Sequence, residues 1–171
     1  MDLLDELRKE HSAAQTRRLI AYVGADPERF SRLFHLFSGD EPRIAQRASR
    51  VVDGVVETFP FLLNPHFPVF LHNLSRKDLP DAVRRNSVRM LQFIALPEEY
   101  HGEVARICFD FLRDPGQPVA VKAFSMTVLH RLTETYPELG PELAFILQER
   151  LELEKPAYRS RAVKILRHLN Q

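Results

Sequence analysis

Apolar and polar positions along this chain repeat on two scales. Within single stretches they follow the 3.6-residue turn of an α-helix, and along the chain the same stretch returns every 38 residues. After Pro80 come Val83, Ser87, Met90, Leu91 and Ile94, which share one helical face, while Arg85, Arg89 and Gln92 fall opposite. After Pro118 the same offsets give Val121, Ser125, Val128, Leu129 and Leu132. After Pro42 they give Ala45, Ser49, Val52 and Val56, with Asp53 interrupting; after Pro156 the pattern slips by one to Tyr158, Ala162, Ile165, Leu166 and Leu169. Proline suits the start of a helix because its missing N–H would be unsatisfied there anyway. The small Ser49, Ser87, Ser125 and Ala162 sit mid-face, where low volume lets a neighbouring helix come close. Such a helix cannot bury its face alone, so an unbroken period predicts stacked copies of one unit.

A second kind of helix precedes each of these, since Leu33, Leu71, Phe109 and Leu147 are also 38 apart. The pattern predicts helices over Pro27 to Phe37, with Asp26 as N-cap, and over Asn64 to Leu74, shortened by Pro65 and Pro68. Pro97 to Arg113 and Glu138 to Leu153 follow. Leu3, Leu4 and Leu7 mark a short capping helix, and Ser12 to Val23 reads as a degenerate copy of the proline-led helix. The boundaries expected are a degenerate capping pair over 1–24 and repeats over 26–59, 64–95, 97–135 and 138–170. No stretch alternates as a strand would, and no linker divides the chain, so one domain over 1–171 is expected.

The stretches PDAVRRNSVRMLQFI from Pro80 and PVAVKAFSMTVLHRL from Pro118 resemble the second helix of a HEAT repeat. In that family a proline, a valine followed by a basic residue, a small residue and an apolar pair recur. The resemblance covers about 26–171 and implies a right-handed, all-α solenoid of about five stacked antiparallel helix pairs. It also implies a ladder in which an acid before each proline bonds a basic residue of a neighbouring repeat. Asp40, Asp78 and Glu154 stand two residues before their prolines, while position 116 is Gly. The matching basic positions hold Gln46, Arg84, Lys122 and Arg159, so Asp78, Arg84, Lys122 and Arg159 are the structural ladder residues expected.

Composition narrows the function. Apolar residues make up 44% and charged ones 27%, ordinary for a globular chain, and the net charge of +1 gives no global attraction for nucleic acid. Charge is nonetheless uneven. The proline-led helices and their degenerate copy, residues 12–23, 41–58, 80–95, 117–135 and 156–171, hold 14 basic and 5 acidic residues, leaving 10 and 18 elsewhere. In HEAT-like stacks the second helices line the concave side, so a basic inner face is expected. Its outward positions are Arg47, Arg50, Arg85, Arg89, Gln92, His130, Lys164 and Arg167. These either attract an acidic or phosphorylated segment or a nucleic-acid backbone, or simply solvate the helices.

Catalytic signals are absent from the sequence. No histidine is followed by Glu, so the His-Glu pairs of the di-iron hydroxylase built on HEAT repeats are missing, and neither a metal nor a cofactor is expected. A base-excision or lyase activity would need aromatics and a carboxylate converging on the inner face. There is no tryptophan, Phe93 and Phe124 read as packing between repeats, and Asp53 reads as a partner for Arg50 or Arg89. Phe59, Phe61, Phe67 and Phe70 read as packing at a tight corner. Cys108, the one cysteine, reads as a buried thiol in a reducing cytoplasm. The first residues, MDLLDELRKEHS, are too acidic for a signal peptide. The expectation is a non-catalytic, cytoplasmic interaction scaffold for an acidic protein or peptide partner, monomeric or weakly dimeric, with no membrane partner. Nucleic-acid binding and a small HEAT-like base-excision or lyase enzyme are the alternatives.

Overall fold

The computed structural model describes residues 1–170, and among these are ten α-helices and no strand. In chain order they are α1 (Leu3–Lys9), α2 (Ala13–Val23), α3 (Pro27–Ser38), α4 (Pro42–Thr58), α5 (Phe67–Ser75), α6 (Asp81–Leu91), α7 (His101–Arg113), α8 (Val119–Thr133), α9 (Gly140–Arg150) and α10 (Pro156–Leu169). Taken two by two they form five pairs, as the alternation of two helix kinds predicts. The chain divides into two compact units, Met1–Ala95 with three pairs and Leu96–Gln171 with two. The division falls between the second and third predicted repeats.

Helix starts follow local chemistry. Asp2, Ser12 and Asp26 cap α1, α2 and α3, each side chain accepting a backbone N–H of the first turn. Pro42 and Pro156 are the first residues of α4 and α10, whereas Pro80 and Pro118 stand one place outside α6 and α8 with ψ of 146° and 144°. Proline's fixed φ serves both positions. The helix expected from Asn64 begins only at Phe67, because Pro60–His66 forms a 3₁₀ stretch. Pro65 can donate no bond there, and Pro68 is tolerated only in the first turn of α5. Three-residue 3₁₀ turns, Glu98–Tyr100 and Pro137–Leu139, likewise replace the first turns expected of α7 and α9, and α9 ends at Arg150 rather than Leu153.

In the first unit α4 is the central element, packed by α3 and flanked by α2 and α6. Its Ile44, Ala45, Ala48, Val51, Val52, Val55 and Val56 are buried accordingly on several sides. Gly54 lets α2 come close: a Cβ there would collide with Ile20 Cδ1. In the second unit α8 packs against α7, α9 and α10. Ser49, Ser87, Ser125 and Ala162 are all buried at their mid-face positions. Ser87 and Ser125 donate to the carbonyls of Val83 and Val121 one turn back, at 2.8 and 2.7 Å, so their hydroxyls enter the core satisfied. No helix of the described residues is long and apolar enough to cross a membrane.

Candidate functional site

Helical spacing places Arg43, Arg47, Arg50, Gly54 and Glu57 along one stripe of α4, and Arg85, Arg89 and Gln92 along one stripe of α6 and its C-cap. Where α4 meets α6, two polar contacts join the stripes. Asn86 Nδ2 donates to Ser49 Oγ at 2.9 Å inside the core. Arg89 donates to Asp53 at 2.7 Å and to Glu57 at 3.0 Å. Burial pushes the Asp53 carboxyl above its ordinary pKa despite that guanidinium. Arg89, expected to point at a partner, is thus half-buried and holds two carboxylates. Gln92, half-buried beside it, donates to the Arg89 carbonyl at 3.3 Å.

Arg47 is also drawn inward. Its guanidinium donates to the carbonyls of Leu7 and Arg8, the latter at 3.1 Å, and so satisfies the C-terminal end of α1. The flexible stem lets the head reach back toward α1 even though helical periodicity places the residue on the outer stripe.

The cross-repeat contacts differ from the ladder the resemblance implied. Asp78 pairs with Arg76 in its own loop at 2.6 Å, and the same Arg76 reaches Asp40 at 3.0 Å and the Ser38 carbonyl at 3.2 Å. Arg84 turns to Asp81 in its own first turn and to the Arg76 carbonyl, both at 3.3 Å. In the second unit Lys122 meets Glu154 at 2.7 Å, with side chains 3% and 10% exposed, and Arg150 adds a second bond to Glu154 at 2.9 Å. Burial pushes the Glu154 carboxyl upward most strongly, but the bonds from Lys122 and Arg150 together hold it below its ordinary value. The Arg159 side chain is exposed and bonds nothing among the described residues. Its place is taken by Arg161, which donates to the Ala123 carbonyl at 3.1 Å and to Thr127 Oγ1 at 3.3 Å. Allowing for the one-residue slip after Pro156, Arg161 holds the place that Asn86 holds after Pro80. Arg76, Asn86 and Arg161 were the bridging residues that pattern alone did not single out. The available signal was a polar residue on or beside an apolar stripe, about one repeat from a matching acceptor.

The aromatics expected in the core of the proline-led helices lie at its edge. Phe93 is 37% exposed and sits 5.5 Å beneath the Arg89 guanidinium, and Phe124, half-buried, lies 5.5 Å beneath that of Arg161. At the predicted corner Phe67 and Phe70 are buried, while Phe61 is 55% exposed. His130 on α8 stacks on His168 of α10 with ring centroids 5.5 Å apart. Burial, then the neighbouring His168, lowers the His130 pKa.

Once these contacts are assigned, an imbalance is left on the first unit. Every acid on α4 and α6 has a cation: Asp53 and Glu57 have Arg89, and Asp81 has Arg84. Glu41, the N-cap residue of α4, pairs with Arg8 at 3.3 Å. Arg17 of α2, Arg43 and Arg50 of α4 and Arg85 of α6 are exposed and make no hydrogen bond or ion pair among the described residues. A cleft of about 500 Å³ lies between α2, α4 and α6, with Arg17, Arg50 and Arg89 among its lining residues. In the second unit Lys164 and Arg167 of α10 are likewise exposed without a bond among the described residues. No group of three metal-ligating side chains occurs among the described residues. Cys108 is fully buried and its thiol is pushed up to about 12 by that burial, so it is not a nucleophile.

Within each unit, helix pairs tied laterally to the next pair at roughly one-repeat spacing mark an α-solenoid repeat protein, a class whose unit is the pair. A family model described as HEAT repeat domain matches residues 3–169, so this chain belongs to the HEAT repeat family. Comparisons with curated proteins and with solved structures find no match.

Proposed function

We propose that the chain is a non-catalytic scaffold that captures an acidic segment of a partner protein on the face of α2, α4 and α6. Membership of the HEAT repeat family supports the general role in protein interaction. The observation that carries the finer reading is the pairing imbalance, in which the acids of α4 and α6 are held while Arg17, Arg43, Arg50 and Arg85 are unpaired. Unpaired surface guanidiniums attract carboxylates over several ångströms and give them fork-shaped donors on arrival. Arg47, Arg89 and Gln92 hold the scaffold in shape, and Arg17 and Arg43 join Arg50 and Arg85 as the contact set. Lys164 and Arg167, beside His130, form a second, smaller basic patch. Asp53, bound by Arg89, suits a structural acid better than a general base. A cytoplasmic location, as a monomer or weak dimer, accords with the single buried thiol.

A labelled peptide of eight glutamates is expected to bind at low salt. Replacing Arg43→Glu and Arg85→Glu together is expected to weaken it at least about tenfold with helicity unchanged, as loss of two steering charges requires. Undiminished capture by the double variant would sink the assignment. Tighter binding of a short DNA duplex, with a steep salt slope, would move it to nucleic acid.

A further inference from the structure

Resting on that acidic-segment reading, we infer that the cleft between α2, α4 and α6 seats one phosphomonoester carried by the partner segment, clamped by Arg17 and Arg50. The cleft holds about 500 Å³, and small groups line it: Ser12, Thr16 and Gly54. Gly54 adds no side chain of its own, and Ile20 packs over it at the cleft wall.

Charge selects which group. Arg89 engages both cleft carboxylates, Asp53 at 2.7 Å and Glu57 at 3.0 Å, so neither is bonded to Arg17 or Arg50. Arg50 lies near enough to Asp53 to favour its ionised form, yet bonds nothing. Two guanidiniums from two different helices thus border one cavity with their donors unused. A carboxylate brings a single charge and is satisfied by one fork. A phosphomonoester brings a charge of roughly −1.5 to −2 and three strong acceptor oxygens, which two forks can share. Nucleotides fit less well, because no Phe, Tyr or Trp lines the cleft to stack a base. A phosphodiester backbone spreads one charge per link and calls for a track of cations rather than one cavity.

The probe is the blocked tripeptide acetyl-Gly-phosphoSer-Gly-amide, which carries no carboxylate and so reads the cleft separately from the acidic-segment face. In a ¹⁵N NMR titration the amides of Ser12, Thr16 and Gly54 are expected to shift saturably, and the unphosphorylated tripeptide is expected to leave them in place. Arg17→Gln should weaken the phosphorylated probe about tenfold, as loss of one charge-assisted fork implies. The Arg43→Glu, Arg85→Glu pair should leave that probe within about twofold, since neither residue lines the cleft. Octaglutamate capture, conversely, is lost in the Arg43→Glu, Arg85→Glu pair, to which the tripeptide is blind, so either reading can fail alone. A thermal melt of Arg17→Gln, an exposed position, checks that the fold is intact. Absent shifts, or full affinity retained in Arg17→Gln, would overturn the inference. So would inorganic phosphate binding as tightly as the tripeptide, which marks a free-anion site, or a dinucleotide doing so, which marks a nucleic-acid backbone.

Discussion

Asp53 in the first unit and Glu154 in the second both join neighbouring repeats, and burial pushes both carboxyls upward, more deeply at Asp53, and they end in opposite states. Desolvation is the largest influence on each and pushes each carboxyl upward. At Asp53 it prevails, because that carboxyl is the more deeply buried and the one guanidinium bonded to it, Arg89, is shared with Glu57, whose own charge pushes the same way. At Glu154 two cations bond one carboxylate, and the net effect is downward. Depth of burial and the number of cations bonded to a carboxylate, rather than the existence of an ion pair, together decide whether it fastens a joint or is merely tolerated there.

The largest effect that tests this contrast is at the second joint. Glu154→Gln leaves Lys122, with a side chain 3% exposed, short of a counter-charge, and is expected to cost about 3 kcal/mol in urea unfolding. Replacing both partners, Lys122→Met with Glu154→Leu, should recover most of that loss, because an apolar pair of similar volume needs no desolvation. A folded-state pKa below 4.5 means that the Glu154 contribution is present above that pH and is lost as pH falls through the lowered value.

Asp53→Asn should change stability by less than about 1 kcal/mol at pH 7, because the charge removed is one that burial already disfavours. The pH response has the reverse sign. A folded pKa above 3.8 means that the native state binds the extra proton, so the parent loses stability as pH rises from 3.8 toward the raised value. The Asn variant does not, and should gain on the parent over that range in a pH series of melting temperatures. If Asp53→Asn costs more than Glu154→Gln, the contrast is broken.

The smallest effect concerns the stacked rings. A lowered His130 pKa costs stability as pH falls through 6.5, because the unfolded chain then takes up the proton first. His168→Gln should flatten that decline by no more than about 0.5 kcal/mol after solvent screening, read as a difference in melting temperature between pH 5.5 and 7.5.

The period of 38 made the helix pairs legible, because volume and apolarity at Ser49, Ser87, Ser125 and Ala162 obey helix geometry wherever the chain goes. Side-chain reach does not obey it. Arg47 and Arg89 occupy outer positions by spacing, yet their long stems carry the charge back to α1 and to Asp53. The ladder was legible at Lys122, where the partner acid directly precedes the next repeat, and illegible at Arg161, which bridges from two places beyond Arg159. Arg50, Arg85, Lys164 and Arg167 are exposed where spacing put them. The cleft itself needed three helices in place before Arg17 and Arg50 could be seen on one opening.

Cys108 gives the second unit a clock of its own. A thiol fully enclosed beneath α8, with its ionisation displaced to about 12, cannot meet a water-borne alkylating reagent until the unit opens. The rate at which reagent consumes it under native conditions therefore counts openings of that half of the molecule alone. As the chain's single cysteine, it reports without any engineered label.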